Sequence, residues 1–262
     1  MVSVLEAVFL GALQGLTEWL PVSSSAHLAL AQYFFGIEAD VAFDIVLHLG
    51  TLLAVIGYYR NDIAALVRGV VGRKEKEMRY AAFIILAAVP TAIIGFAFRD
   101  FFEGMFSNPV AIAGALGLTG FFLITANEAA VKKEAKIDAK SSLAIGIAQG
   151  LAVAPGISRS GATIGTALFL GIERGEAAKF SFLAGVIPIL GAAALEGRKA
   201  LFGNVELLPV LFGFAVSAIV GYFAIALLIK VLKESKLQVF GYYCLALAAV
   251  VLAAVRMGAM AS

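Results

Sequence analysis

The chain of 262 residues is too apolar for a soluble fold, since 61% of its residues are hydrophobic and its mean hydropathy is +0.96. Only 15% are Asp, Glu, Lys or Arg, against about 25% in an ordinary soluble domain, so a bilayer must cover the apolar surface. The formal charge of +2, with basic residues in loops rather than along one stripe, argues against a nucleic-acid-binding protein.

Two apolar regions are broken by polar segments, and each is followed by three long apolar runs. The broken regions cover about 4–35 and about 143–170. A spanning helix needs roughly 20 residues, and the uninterrupted runs that meet this length lie at about 41–59, 81–98, 109–127, 177–195, 207–229 and 237–255. Each arm of a broken region has only about 12–17 residues, which at about 1.5 Å per residue reaches the middle of a bilayer. We therefore predict an all-α polytopic membrane protein with six spanning helices and two re-entrant helical hairpins.

The two broken regions resemble each other at a fixed offset of 135 residues. Between residues 11–25 and 146–160, six of fifteen positions are identical, including Gln14 with Gln149. Three spans follow each hairpin, and because three is odd, the second half should be inverted, with both hairpins meeting near the midplane. We predict a first repeat over 1–128, a charged cytoplasmic linker over 129–142 and an inverted second repeat over 143–262.

The distribution of basic residues predicts the orientation in the membrane. Fifteen Lys and Arg residues fall on the side of the loop that follows the 41–59 run, against four on the other side. This ratio places those loops in the cytoplasm and both termini on the extracytoplasmic side of the plasma membrane. Arg159, the remaining basic residue, lies inside the second hairpin.

The incoming arm of the first hairpin carries Gln14 and Glu18, which are four residues apart and so share a helix face. A carboxylate at the bilayer centre costs about 2.5–3.5 kcal/mol, so Glu18 needs a partner. It is either part of a structural hydrogen-bonding pair, or a metal ligand or general acid/base.

Three serines and a histidine follow at the tip of the first hairpin. One of Ser23, Ser24 and Ser25 suffices to cap the next helix, and the additional hydroxyls with the N–H groups of a helix start form an anion site. His27 lies within two residues of this cluster and is a candidate catalytic residue. His48 lies in the middle of a spanning run, and its role stays open.

The second hairpin carries Arg159 at its tip, where a long side chain cannot reach the membrane surface and needs a fixed anionic partner. Glu18 is one such partner, and a phosphate is another, because its oxygens match the guanidinium fork. Together the polar groups suit phosphoryl transfer. The main alternative is a secondary transporter or lipid flippase, since broken helices in inverted repeats are typical of transporters; a structural scaffold is disfavoured by the buried charges.

The segments Gln14–His27 and Pro155–Thr163 resemble the two signatures of the undecaprenyl-diphosphatase family, known for bacitracin resistance. The resemblance covers essentially the whole chain. It implies hydrolysis of undecaprenyl diphosphate to the monophosphate and inorganic phosphate, which recycles the lipid carrier of cell-wall glycans. It also implies a divalent cation, Mg²⁺ or Ca²⁺, as cofactor. The expected partners are the polyprenyl diphosphate and membrane lipids, with no nucleic acid; a homodimer is left open.

The resemblance also assigns roles to individual residues. It implies that Gln14 and Glu18 are metal ligands, and that Gln14, in place of Glu, removes one negative charge from that site. The catalytic residues it implies are Glu18, Ser24, His27 and Arg159, where Ser24 attacks while His27 takes its proton, or His27 activates a water. It implies that Ser158 and Thr163 contact phosphate. We expect Ser23, Ser25 and Ser160, whose hydroxyls lie at the same two helix starts, to bind phosphate as well. His48 lies where some family members have Gln, so no role is carried onto it.

Overall fold

The computed structural model describes residues 2–129, 135–200 and 206–258, without the side chains of 196–200. The described residues form helices and one isolated β-bridge between Ala135 and Ile172. In chain order the helices are α1 (Val4–Trp19), α2 (Ser24–Phe35), α3 (Val41–Tyr58), α4 (Arg60–Val71), α5 (Glu75–Ala97), α6 (Arg99–Phe106), α7 (Pro109–Ala129), α8 (Ala139–Leu151), α9 (Arg159–Phe169), α10 (Arg174–Ala200), α11 (Leu207–Lys233) and α12 (Gln238–Arg256). Of these, α3, α5, α7, α10, α11 and α12 are long and apolar enough to cross a membrane. The predicted polytopic all-α fold is therefore confirmed.

Three helices begin earlier than their apolar runs, and of these α10 starts at Arg174 rather than at 177. Helix α5 starts at Glu75 rather than at 81, because its charged first turns continue the helix beyond the apolar stretch. Helix α8 starts at Ala139 rather than at 143, because Asp138 and Ser141 cap it reciprocally, with two backbone-to-side-chain hydrogen bonds of 2.8 Å. Residues 130–134 of the predicted linker lie outside the described part of the chain.

Two further helices, α4 and α6, were not predicted from hydropathy. Each directly follows a spanning helix, α3 and α5 respectively, and each is too short to cross a bilayer. Both mix charged side chains with exposed apolar ones, such as Val71 on α4 and Phe101 on α6. A search for long apolar runs cannot find such short amphipathic helices, which are typical of the membrane interface.

Each hairpin packs along a span from the other half of the chain. Helix α1 lies along α11, α8 lies along α5, and α7 packs against α12. The glycines that the repeat aligns, Gly11 and Gly146, allow this close approach: a Cβ on Gly11 would lie 2.6 Å from the Gly213 carbonyl oxygen, and one on Gly146 would overlap the Ala87 carbonyl oxygen. Such reciprocal packing is what an inverted repeat would produce. The inversion itself and the depth of the hairpins in the bilayer stay predictions.

The close contact at Gly146 leads to a stability prediction with a matched control. Gly146→Ala should destabilise the fold by about 1–3 kcal/mol, because α8 must move away from the α5 backbone. Gly117→Ala on α7 should be neutral or stabilising by up to about 1 kcal/mol, since a Cβ there meets no atom within 4 Å and Ala favours a helix. Thermal unfolding of both purified variants in detergent measures the difference. Equal melting temperatures would contradict the tight contact.

Large buried side chains surround the end of α1. Trp19 and Phe182 are fully buried, and their rings meet edge to face with centroids 5.1 Å apart. The indole Nε1 of Trp19 donates to the Thr51 carbonyl oxygen at 3.1 Å, which ties α1 to α3. The polar residues at the end of α1 are therefore held by rigid apolar packing on one side.

Candidate active site

The first tip (residues 20–23) joins α1 to α2 through a strained serine. Ser23 has φ 68° and ψ 90°, a conformation that L residues other than glycine rarely adopt. Its hydroxyl oxygen accepts a hydrogen bond of 3.1 Å from the Gly156 backbone N–H. This contact, 133 residues away in sequence, helps hold the unusual backbone in place.

The second tip (residues 152–158) turns at Gly156 and is braced by Thr119 of α7. Gly156 has φ 98°, and a Cβ there would lie 2.6 Å from the Ile112 carbonyl oxygen, so this turn requires glycine. The Thr119 hydroxyl donates to the Gly156 carbonyl oxygen at 2.9 Å and accepts from the Ser158 N–H at 3.2 Å. Ser158 then caps α9 by accepting from the Gly161 N–H at 3.1 Å.

The structure brings the two tips together. Besides the contact between Ser23 and Gly156, the Ser160 hydroxyl donates to the Leu20 carbonyl oxygen at 3.1 Å. The starts of α2 and α9 therefore lie side by side, and the polar residues of both halves form one cluster.

Glu18 lies at the centre of this cluster and is only 7% exposed. Its Oε1 is 2.5 Å from Nη2 of Arg159. Its Oε2 accepts from the Ser24 hydroxyl at 2.6 Å and from Nε2 of Gln14 at 3.0 Å. Nε2 of His48 lies 3.6 Å from the same oxygen. The Glu18 carboxylate is thus surrounded by a guanidinium, a hydroxyl, an amide and an imidazole.

Arg159 pairs with Glu18, one of the two partners that the sequence suggested, and one of its guanidinium nitrogens has no hydrogen-bond partner within the part of the chain that the structure describes. While Nη2 pairs with Glu18, Nη1 is buried and has no hydrogen-bond partner among the described residues. The guanidinium carbon lies 4.8 Å from the centroid of the Trp19 ring, close enough for a cation–π contact. Gly185 of α10 lies beside Nη1, where a Cβ would overlap it. One half of a bidentate donor is therefore fixed in place with its N–H groups unpaired.

His27 is close to the three serines in sequence, but its ring nitrogens contact none of their hydroxyl groups. Nδ1 lies 2.7 Å from the Ser23 carbonyl oxygen, and Nε2 lies 2.7 Å from the Tyr243 hydroxyl of α12. Ser24 donates to Glu18 instead. In this arrangement Glu18, rather than His27, is in contact with the Ser24 proton.

The remaining predicted phosphate ligands are engaged in contacts that hold the tips. The Ser23 and Ser25 hydroxyls lie 3.2 Å apart, as do those of Ser158 and Ser160. The Thr163 hydroxyl donates to the Arg159 carbonyl oxygen at 2.8 Å and also bonds to Ser181 of α10. Ser25 is the one partly exposed residue of this set, and the others are buried. The neighbouring Ser24 is also partly exposed. Their roles toward phosphate stay predictions.

The residues predicted to hold a divalent cation offer few ligands of their own. Within the described ranges, no group of three or more His, Cys, Asp or Glu side chains could hold a metal ion. Gln14, however, leaves its buried Oε1 without a hydrogen-bond partner while its amide nitrogen donates to Glu18. Mg²⁺ is commonly bound by one or two carboxylates together with substrate phosphates. Glu18 and Gln14 therefore fit such a cation provided that the substrate supplies further oxygens.

Sequence reasoning left His48 open and missed Tyr243. Nδ1 of His48 lies 2.8 Å from the backbone carbonyl oxygen of Asp44 in its own helix, and the approach of its Nε2 to Glu18 had no signal in the sequence. Tyr243 lies in an apolar run beside another tyrosine, so the sequence held no indication that it would contact the first hairpin.

Among the known proteins similar to this chain, three named undecaprenyl-diphosphatase illustrate the likeness. The protein of Rubrobacter xylanophilus is 42% identical over 97% of this chain and 98% of the relative. That of Geobacter metallireducens is 44% identical over 91% of this chain and 93% of the relative. That of Methanococcus maripaludis is 37% identical over 92% and 96%, respectively. Residues 7–250 match the family described as Bacitracin resistance protein BacA, and this range includes both tips. The chain therefore belongs to that family.

Proposed function

We propose that the chain is a membrane-embedded undecaprenyl-diphosphatase, which hydrolyses a polyprenyl diphosphate to the monophosphate and inorganic phosphate. The observation that carries the proposal is the contact of Glu18 with Arg159 and Ser24 where the two tips meet, in a chain similar to proteins of that name. A buried carboxylate, a guanidinium with an unused arm and a serine hydroxyl suit attack on phosphorus. A transporter or flippase has no need of a serine bonded to a buried carboxylate.

Diphosphate would bind beside Arg159 without breaking its contact with Glu18. Nη1 of Arg159 lacks a partner but is buried beside Gly185 of α10, so a phosphate oxygen would accept from it after displacing that packing, while Nη2 stays on the carboxylate. The N–H groups at the starts of α2 and α9, with Ser23, Ser25, Ser158, Ser160 and Thr163 around them, would add donors for the same anion. A divalent cation, when bound at Glu18 and Gln14, would offset the negative charge of the diphosphate.

Two routes are available for the attack. In the first, the Ser24 oxygen forms a bond to the terminal phosphorus, and the lipid monophosphate leaves with the bridging oxygen. The Ser24 proton passes to Glu18, which it already contacts at 2.6 Å, or to His27. Water then hydrolyses the phosphoserine and releases inorganic phosphate. In the second route, His27 accepts a proton from a water that attacks the phosphorus directly.

The two routes predict different intermediates. We expect acid quenching during turnover to trap a phosphoserine at Ser24, with net retention of configuration at phosphorus over the two displacements. The Ser24→Ala variant should give no trapped phosphate, whereas Ser25→Ala should still give it if Ser24 is the nucleophile. No trapped phosphoserine, together with inversion at phosphorus, would rule out the serine route.

The test of the overall function is phosphate release from a prenyl diphosphate by the purified protein in detergent. We expect release to stop when EDTA removes divalent cations, and to return with added Mg²⁺ or Ca²⁺. Undiminished release in EDTA would contradict the metal requirement. No release under any of these conditions, from a protein that stays folded, would contradict the phosphatase activity itself.

The cellular setting is part of the same proposal. Six apolar helices make the chain a multi-pass membrane protein. We further propose that it lies in the plasma membrane with both termini extracytoplasmic, that its halves form an inverted repeat, and that the first hairpin opens outward. Hydrolysis on that side would recycle the lipid carrier for cell-wall glycans and support bacitracin resistance. Assembly as a homodimer is compatible with the proposal but not required by it.

A further inference from the structure

Helix α12 contributes a tyrosine to the candidate active site. The Tyr243 hydroxyl lies 2.7 Å from Nε2 of His27, although the two residues are 216 positions apart. Their rings are nearly parallel, with an interplanar angle of 7° and centroids 5.7 Å apart. The neighbouring Cys244 places its Sγ 3.7 Å from the Pro21 carbonyl oxygen, so α12 packs directly against the first tip.

The partners of His27 determine which of its ring nitrogens carries the proton. Nδ1 faces the Ser23 carbonyl oxygen, which can only accept a hydrogen bond, so Nδ1 must bear hydrogen. In the neutral ring, Nε2 then holds a lone pair, and the Tyr243 O–H must donate to it. Ser23, whose backbone has a positive φ, presents its carbonyl oxygen to Nδ1 of His27. The Tyr243 hydroxyl contacts the other ring nitrogen, Nε2.

We propose that Tyr243 is a positioning residue for His27: its hydroxyl donates to Nε2 and holds the ring of the Nδ1–H tautomer in place against the Ser23 carbonyl oxygen. The inference rests on the proposed phosphatase function for its kinetic consequence, but not for the tautomer. Because Tyr243 belongs to the second half of the chain, it would couple the packing of α12 to the chemistry at the first tip.

A packing role for Tyr243 makes a different prediction. If the hydroxyl only anchored α12 to the first hairpin, its loss would lower the melting temperature and leave the turnover of the folded protein unchanged. If it positions His27, its loss lowers kcat while substrate affinity is kept, because the phosphate-binding groups lie elsewhere. Tyr243→Phe separates the two, since it keeps the ring against His27 and removes only the hydroxyl.

The kinetic experiment compares Tyr243→Phe with Tyr242→Phe in the full-length protein in detergent, with a prenyl diphosphate as substrate. We expect kcat of Tyr243→Phe to fall about tenfold, as for one lost hydrogen bond at an acid/base group, with KM within about twofold of the wild type. Tyr242 is 59% exposed, and the Phe change there should leave both constants unchanged. Wild-type kcat in Tyr243→Phe would overturn the proposal.

The spectroscopic experiment measures the protonation and hydrogen bonding of the two ring nitrogens of His27 and requires no turnover. The chain contains only two histidines, so a ¹⁵N-histidine spectrum is simple, and His48→Gln assigns the His27 signals. In the wild type we expect a protonated Nδ1 and an unprotonated, hydrogen-bonded Nε2. In Tyr243→Phe, Nδ1 should stay protonated against the Ser23 carbonyl oxygen, while the Nε2 resonance should shift because Nε2 loses its hydrogen bond. Identical His27 signals in the two proteins would overturn the proposal. If the protein releases no phosphate, the phosphatase function fails while this spectrum still decides the role of Tyr243.

Discussion

Replacing Glu18 with Gln is expected to reduce kcat/KM by a factor on the order of 10³. The carboxylate holds Arg159 at 2.5 Å and Ser24 at 2.6 Å, and its charge is needed in both contacts. A neutral amide cannot accept the Ser24 proton and cannot neutralise the guanidinium. It would also remove the negative charge that attracts a divalent cation.

The same substitution should weaken the fold, because it leaves the Arg159 charge without a counter-charge at a mostly buried position. Breaking one side of a buried ion pair typically costs about 3–5 kcal/mol. We expect a clearly lower melting temperature for Glu18→Gln in detergent. The matched control is Glu38→Gln, a carboxylate on the exposed turn between α2 and α3, which should keep both activity and melting temperature. Phosphate release at the wild-type rate by Glu18→Gln would contradict the central place of the carboxylate.

Much of the site could be anticipated because it depends on local spacing. The four-residue separation of Gln14 and Glu18 predicted a shared helix face, and the Gln14 amide indeed donates to the Glu18 carboxylate. Serines after a helix break predicted caps, and the Ser158 hydroxyl does cap α9. The requirement that charges at membrane depth be paired named Glu18 and a phosphate as partners of Arg159, and Arg159 does pair with Glu18.

The contacts that could not be anticipated join helices far apart in sequence. Tyr243 and His48 reach the site because α12 and α3 pack beside the first hairpin, and no local pattern encodes which turn of an apolar helix faces inward. Gly185 is a similar case, since its missing side chain matters only because Nη1 of Arg159 lies beside it. In a spanning helix nearly every residue is apolar, so hydrophobic periodicity carries little information about the buried face.

Arg159→Lys is expected to lower kcat/KM about a hundredfold or more, although it conserves the charge. The two terminal nitrogens of Arg159 have different surroundings: Nη2 pairs with Glu18, while Nη1 lies unpaired beside Gly185. A lysine ammonium is a single point charge, and it would remain with the carboxylate, leaving no donor at the position of Nη1. The contact of the guanidinium with the Trp19 ring would be lost as well.

The stability of Arg159→Lys distinguishes a lost phosphate contact from a damaged fold. Since lysine still neutralises Glu18, the melting temperature should change far less than in Glu18→Gln, while activity falls in both variants. Arg256→Lys, at the exposed end of α12, provides the control for an arginine outside the site and should behave as the wild type. Near-normal turnover in Arg159→Lys would mean that a charge suffices and that the unpaired Nη1 has no part in binding phosphate. Loss of activity with an intact fold would instead leave the guanidinium geometry as the property that the reaction requires.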